Sequence, residues 1–236
     1  MLKPTLVWLF DIDGTLLLTQ GAGREALSLA LKDQFGVDDD LTHIAFGGRT
    51  DLLIVADICE RHGLEFRDGE LERYWARAAF HMRVLMNPPR GGLLTGVPAA
   101  LDAVAGESTW VRALLTGNVS EMARIKLSSF GIYERFAWGA FGEEAPNRNA
   151  LAVVAVERAA ERHGVTPDRC VVVGDTEHVI DCARAAGAHA VAVTTGGRSR
   201  EQLVAHGADL VLENLGEHAR LIEWAHGVQM GTKDPR

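Results

Sequence analysis

The sequence predicts an α/β fold, a parallel β-sheet with helices on both faces and an α-helical module inserted after the first strand. Three observations carry this. Short apolar runs alternate with longer segments of helical period, which implies right-handed crossovers between parallel strands. The runs themselves, such as Cys-Val-Val-Val at 170–173, are nearly continuous in apolar residues, which fits burial on both faces. Residues 18–90, by contrast, carry helical patterns and no convincing strand.

The first strand is read over residues 5–10, and it ends at Asp-Ile-Asp-Gly (11–14). Helical patterns follow over 22–35, 50–62 and 68–86, until Asn-Pro-Pro-Arg-Gly-Gly (87–92) closes the insert as a linker that cannot continue a helix. Strands are then expected at 110–115, 170–173, 189–193 and 210–212, with a weaker one at 136–141. Helices are expected between them, at 119–130, 147–163, 177–186 and 200–206, and a last one at 217–226. In the 147–163 segment Leu151, Val154 and Ala155 share one face. An insert after the first strand stands over the carboxyl ends of the strands, where open parallel sheets bind ligands.

Composition narrows the function classes. At 236 residues and 47% hydrophobic, the chain can bury a sizeable core. A net charge of -8 without a lysine or arginine block argues against nucleic acid or an anionic membrane as partner. No run reaches the roughly 20 apolar residues needed to span a bilayer, and the N-terminal run is too short for a secretory signal. Cys59, Cys170 and Cys182 are scattered and in no metal-ligand spacing. They read as free thiols of a reducing cytoplasm, and a cytoplasmic location is expected.

The chemistry concentrates at strand ends. Asp11 and Asp13, one residue apart beyond a buried run, can serve as nucleophile and proton donor and can hold a hard divalent cation. The competing structural reading is an Asp-x-Asp-Gly turn that simply closes the strand. Asp175, after Val-Val-Val-Gly, offers a third carboxylate at a second strand end. Thr116, Gly117 and Asn118 end another strand with a hydroxyl and backbone amides suited to a phosphate oxygen, or else to a helix cap.

Asp-Ile-Asp-Gly-Thr-Leu, Leu-Leu-Thr-Gly-Asn and Val-Val-Val-Gly-Asp-Thr resemble, in order, the first, second and fourth motifs of the haloacid-dehalogenase-like (HAD) hydrolase superfamily. Thr-Gln-Gly-Ala-Gly-Arg-Glu-Ala-Leu (19–27) and Gly-Gly-Arg-Thr-Asp (47–51) are similar to its phosphoglycolate-phosphatase-like branch. The resemblance implies a HAD-type, Rossmann-like core over 1–17 and 91–236 and a helical cap over 18–90. It further implies that Asp11 forms an aspartyl-phosphate and that Asp13 exchanges protons with the leaving group and the attacking water. Mg2+ would then be held by Asp11, Asp175 and the backbone carbonyl of Asp13, and the phosphoryl group by Thr116, Gly117 and Asn118. An acid at position 13, which dehalogenases of the superfamily lack, points to phosphoryl chemistry.

Two motifs depart from the pattern. The third usually supplies a lysine; here Arg148 is the only cation of the stretch 142–154 and is the candidate, against the alternative of a solvated arginine in a first helical turn. Lys126 is a weaker alternative, expected on a solvated helix face. In the fourth motif many relatives carry a second acid four residues on, where this chain has Val179. Either Glu177 or Asp181 reaches the metal through water, or the site has fewer carboxylates. In the insert, Arg49 is a candidate for a substrate carboxylate or second phosphate, against a structural ion pair with Asp51 or a neighbour. Gln20, Gly21 and Arg24 could also approach the site, and Tyr74, Trp75 and Phe80 are expected to pack the insert's helices together. The resulting expectation is a Mg2+-dependent phosphatase of a small phosphorylated metabolite. The alternatives are a β-phosphoglucomutase-like phosphomutase and a phosphate-ligand-binding protein of weakened turnover.

Overall fold

Strand β1 (Leu6–Phe10) sends alternate side chains to opposite faces of a sheet, and both faces are buried. Leu6, Trp8 and Phe10 join one apolar cluster, Val7 and Leu9 another. This arrangement comes from a computed structural model, which describes residues 6–231. Thr5, expected to open the strand, lies outside the described residues.

The chain then runs through a short strand β2 (Leu17–Leu18), helices α1 (Ala22–Phe35), α2 (Asp51–His62) and α3 (Glu70–Leu85), and a short strand β3 (Gly92–Leu93). Beyond these come α4 (Val97–Gly106), β4 (Trp110–Leu115), α5 (Ser120–Ser129), β5 (Gly139–Ala140) and α6 (Arg148–His163). The chain ends with β6 (Cys170–Gly174), α7 (Glu177–Ala185), β7 (His189–Val193), α8 (Arg200–His206), β8 (Leu210–Leu212) and α9 (His218–Met230). Six strands form one all-parallel sheet in the order β5-β4-β1-β6-β7-β8. Residues of α4, α5 and α9 cover one face and residues of α6, α7 and α8 the other.

Three elements were not anticipated. Helix α4 starts from Gly96, which supplies no side-chain cap, although Pro98 in its first turn is a readable start signal. Strands β2 and β3 pair antiparallel and tie the two ends of the insert together. Two-residue strands leave no periodicity to read. Gly91 is needed there: it has φ +82°, and a Cβ would lie 1.8 Å from the Leu18 carbonyl oxygen.

Helices α1, α2 and α3 share a third apolar cluster, which continues into Val119, Met122 and Ile125 at the start of α5. Tyr74 is fully buried and donates from its hydroxyl to the Leu27 carbonyl at 2.9 Å. Phe80 does not pack as expected. It lies six residues after Tyr74, about 240° round the helix, and is 60% exposed. Among the described residues no helix is long and apolar enough to cross a membrane.

Candidate active site

The order of the strands creates the site. From β1 the chain crosses to β4 and β5 on one side, then returns to β6 on the other, so β1 lies at a topological switch point. The three central strands end level, with Phe10 paired to both Leu114 and Val173. Asp11, Thr116 and Asp175 therefore emerge at one edge, and all three are buried.

Asp11 donates its backbone N–H to Val173 at 2.9 Å, and its Oδ1 accepts from the Ile12 N–H at 2.8 Å. Its Oδ2 faces Arg148 Nη2 at 2.7 Å. The sequence left open whether Arg148 was a solvated arginine; it is buried. Nε and Nη2 of Arg148 nonetheless have no hydrogen-bond acceptor, because the ion pair is close but out of line. Burial alone would lower the guanidinium, but Asp11 and Cys182 together outweigh it and hold it above its ordinary value.

The turn after β1 carries Asp13 and closes on Asp175. Gly14 has φ +78°, and a Cβ there would lie 2.2 Å from Asp175 Oδ2; at Gly196 the same distance would be 1.7 Å. Asp175 is thus packed between two glycines. Burial first, then the charge of Asp11, raises its carboxyl well above the usual carboxylate range.

Asp13 turns its carboxylate away from this pair. Lys126 Nζ donates to both of its oxygens, at 2.8 and 2.6 Å, and Asn118 Nδ2 donates to Oδ2 at 2.8 Å. Lys126 also donates to Asn118 Oδ1 at 2.6 Å, closing a three-residue network. The expected solvated position of Lys126 is therefore incorrect. It lies four residues after Met122 and three after Ala123, within the buried stripe of α5, a spacing that was readable in the sequence. Asn118 is not a helix cap either, since Val119 occupies that place. Thr116 Oγ1 accepts from Asn118, at 3.3 Å from its backbone N–H and 2.8 Å from its side chain.

The insert touches this loop directly. Asp51 N–H donates to the Gly117 carbonyl at 2.7 Å, and Asp51 Oδ2 accepts from Val119 N–H at 2.9 Å. A Cβ on Gly117 would lie 2.0 Å from the Arg49 carbonyl oxygen, so glycine permits the contact. Thr50 caps α2 through its hydroxyl, which accepts from the Leu53 N–H at 3.4 Å. The Arg49 guanidinium is held by Asp57 at 2.6 Å and by the Ala45 and Leu53 carbonyls. Its structural ion pair is therefore with Asp57, not Asp51.

Asp51 carries a measurable consequence. Burial pushes its carboxyl up to about 6, against the opposing charge of Lys126. The folded protein then binds more protons than the unfolded chain between about pH 4 and 6, so stability falls as pH rises through that window and stays lower above it. Asp51→Asn keeps a carbonyl oxygen for Val119 and removes the titration. We expect it to match the parent protein near pH 4 and to exceed its stability above pH 6 by up to roughly 3 kcal/mol. Urea unfolding at the two pH values checks this.

The fourth-motif acids do not join the cluster. Glu177 is paired with Arg198 at 2.6 and 2.8 Å, and Asp181 with His206 at 2.9 Å. Val179 is fully buried core. Asp11, Asp13, Arg49, Thr116, Gly117, Asn118, Arg148 and Asp175 all line one cavity of about 330 Å3, together with Lys126 and Asp51.

A family model described as HAD-hydrolase-like matches residues 149–218. A predicted phosphoglycolate phosphatase of Haemophilus somnus is similar in structure, with a TM-score of 0.70 at 19% identity, over 94% of this chain and 99% of its own. CbbY of Rhodobacter sphaeroides, solved with phosphate, has a TM-score of 0.69 at 18% identity over 89% of this chain and 95% of its own. A hydrolase of Pseudomonas syringae has a TM-score of 0.69 at 20% identity over 93% and 98% respectively. No curated protein sequence matches the chain. The chain therefore matches the HAD-hydrolase-like family model over residues 149–218 and shares the fold of these structures over nearly its whole length.

Proposed function

We propose that the protein is a Mg2+-dependent phosphatase that hydrolyses a small phosphorylated metabolite through an aspartyl-phosphate on Asp11. The observation that carries this reading is the pairing of Asp11 with a buried arginine that has unused donors. Arg148 stands 2.7 Å from Asp11 with Nε and Nη2 lacking an acceptor, and phosphoryl oxygens are acceptors of that kind. A cavity of about 330 Å3 is at the small end for ligand sites and suits a small ester. Structural neighbours support a phosphorylated ligand: CbbY was solved with phosphate and, as a variant, with xylulose-1,5-bisphosphate. The buried thiols of Cys170 and Cys182 suit a reducing cytoplasm.

The residues fit a magnesium ion. Asp11 and Asp175 are two desolvated carboxylates, and the charge of the first raises the second, a repulsion that a hard cation relieves. Asp11, Asp175 and the Asp13 backbone carbonyl would hold it, the Asp13 side chain being engaged by Lys126. When bound, Mg2+ supplies neutralisation of the phosphoryl charge.

The protein's own groups then divide the work. The Asp11 carboxylate oxygen attacks phosphorus while Arg148 grips the phosphoryl oxygens. The bond to the leaving oxygen breaks, and that oxygen takes a proton from Asp13. Water then attacks phosphorus and gives a proton to Asp13, and the bond between phosphorus and the Asp11 oxygen breaks, which frees phosphate and restores the Asp11 carboxylate. Lys126 and Asn118 hold both Asp13 oxygens. Donation by Asp13 therefore requires one Lys126 contact to open, whereas proton uptake from water can follow with the network largely in place.

Phosphate release is to be measured with and without Mg2+ across phosphoglycolate, sugar phosphates, nucleotides and phosphonates. Metal-dependent release from at least one ester is expected, abolished by chelation. Interconversion of hexose phosphates with little free phosphate would replace the reading by a phosphomutase. Binding without release would replace it by a ligand-binding protein.

A further inference from the structure

The cavity contains three arginines, and two already have anionic partners: Arg148 faces Asp11, and Arg49 faces Asp57. Arg24, in the first turn of α1, makes no ion pair or hydrogen bond among the described residues, and its Nε is buried without an acceptor. Its guanidinium carbon lies over the Phe46 ring, 4.8 Å from its centre, a cation–π contact that helps to hold the side chain in place. A buried donor without an acceptor is unfavourable, and a planar guanidinium matches an anionic oxygen group. Leu27, Ile54 and Met122 line the same cavity and give the hydroxyls of a polyol nothing to bond. The first turn of α1 lies close to Lys126, since a Cβ added at Gly23 would be in ordinary contact with Nζ at 3.5 Å, so this turn borders the proposed reaction centre.

Resting on the phosphatase reading, we propose that Arg24 determines specificity by binding a second anionic group, a carboxylate or a phosphate, on the substrate's leaving portion. The insert residue that reads the substrate is then Arg24 and not Arg49, whose guanidinium is already held by Asp57 and by the Ala45 and Leu53 carbonyls.

The test uses the Mg2+-loaded full chain and ω-carboxyalkyl phosphates of two to four carbons, each against the n-alkyl phosphate of equal length. Alkanediol bisphosphates form a parallel arm that separates a phosphate from a carboxylate as the second group. The parent protein is expected to favour one anionic series over its neutral match by at least about tenfold in kcat/KM. Arg24→Leu is expected to bring that ratio close to one through KM, and Arg24→Lys to restore part of it. Equal ratios in parent and Arg24→Leu, with both melting cooperatively, would overturn the proposal and leave the phosphatase reading standing. If no ester is hydrolysed the phosphatase reading fails, and calorimetry with the matched ω-carboxyalkyl and alkyl phosphonates decides on Arg24 alone. Tighter binding of the carboxylated phosphonate, lost in Arg24→Leu, supports the subsite; equal binding overturns it.

Discussion

Asp11→Asn is expected to reduce phosphate release by at least about a thousandfold and to abolish any covalent phosphoenzyme. The substitution is nearly isosteric, and the amide oxygen can still accept from the Ile12 N–H as Oδ1 does now. What disappears is the anionic oxygen that faces Arg148, the atom proposed to attack phosphorus. Two opposing electrostatic effects follow. Arg148 loses its counter-charge, which destabilises a buried guanidinium, while Asp175 is freed from the charge that raises it. Because these oppose each other, the variant should remain folded, and a cooperative melt by circular dichroism establishes that lost activity is not lost structure. Single-turnover trapping with labelled ester reads the covalent species directly. Turnover above about one hundredth of the parent, with the variant folded, would remove Asp11 from the role of nucleophile.

Much of this arrangement was legible because three signals coincided at strand ends. Carboxylates or a threonine just beyond mainly apolar strands have few structural reasons to exist, and a parallel sheet brings neighbouring strand ends together. The six-stranded sheet and the three insert helices follow from periodicity, which burial enforces residue by residue. What the sequence hid was pairwise geometry. Nothing local distinguishes Arg49, whose guanidinium turns to Asp57, from Arg24, whose guanidinium has no anionic partner among the described residues, since both lie in glycine-containing segments of the insert. Lys126 was assigned to solvent on its charge, although its spacing from Met122 and Ala123 put it on the buried face of α5. A buried lysine needs a counter-charge, and Asp13 is more than a hundred residues away in the chain. The latch between Asp51 and the loop at Gly117 and Val119 is hidden for the same reason, being a contact between the insert and a strand end.

The two buried cations should separate kinetically, which decides how this chain manages without a lysine in the third motif. Arg148→Ala removes the donors proposed to hold the phosphoryl oxygens and leaves Asp11 without its partner at 2.7 Å. It should raise KM for the ester and lower kcat, with kcat/KM falling at least about tenfold. Arg148→Lys should recover only part of this, because an ammonium cannot offer the forked donor pair. Lys126 contacts Asp13 and Asn118, not Asp11, so Lys126→Met leaves the attacking group and its arginine in place. Its effect should fall on proton transfer: kcat drops, also about tenfold, while KM moves little. A methionine of similar length fills the space in α5 and limits the loss of packing. If Arg148→Ala left kcat/KM unchanged while Lys126→Met raised KM, phosphate binding would belong to Lys126. The motif-three cation would then have moved from the start of α6 to the buried face of α5.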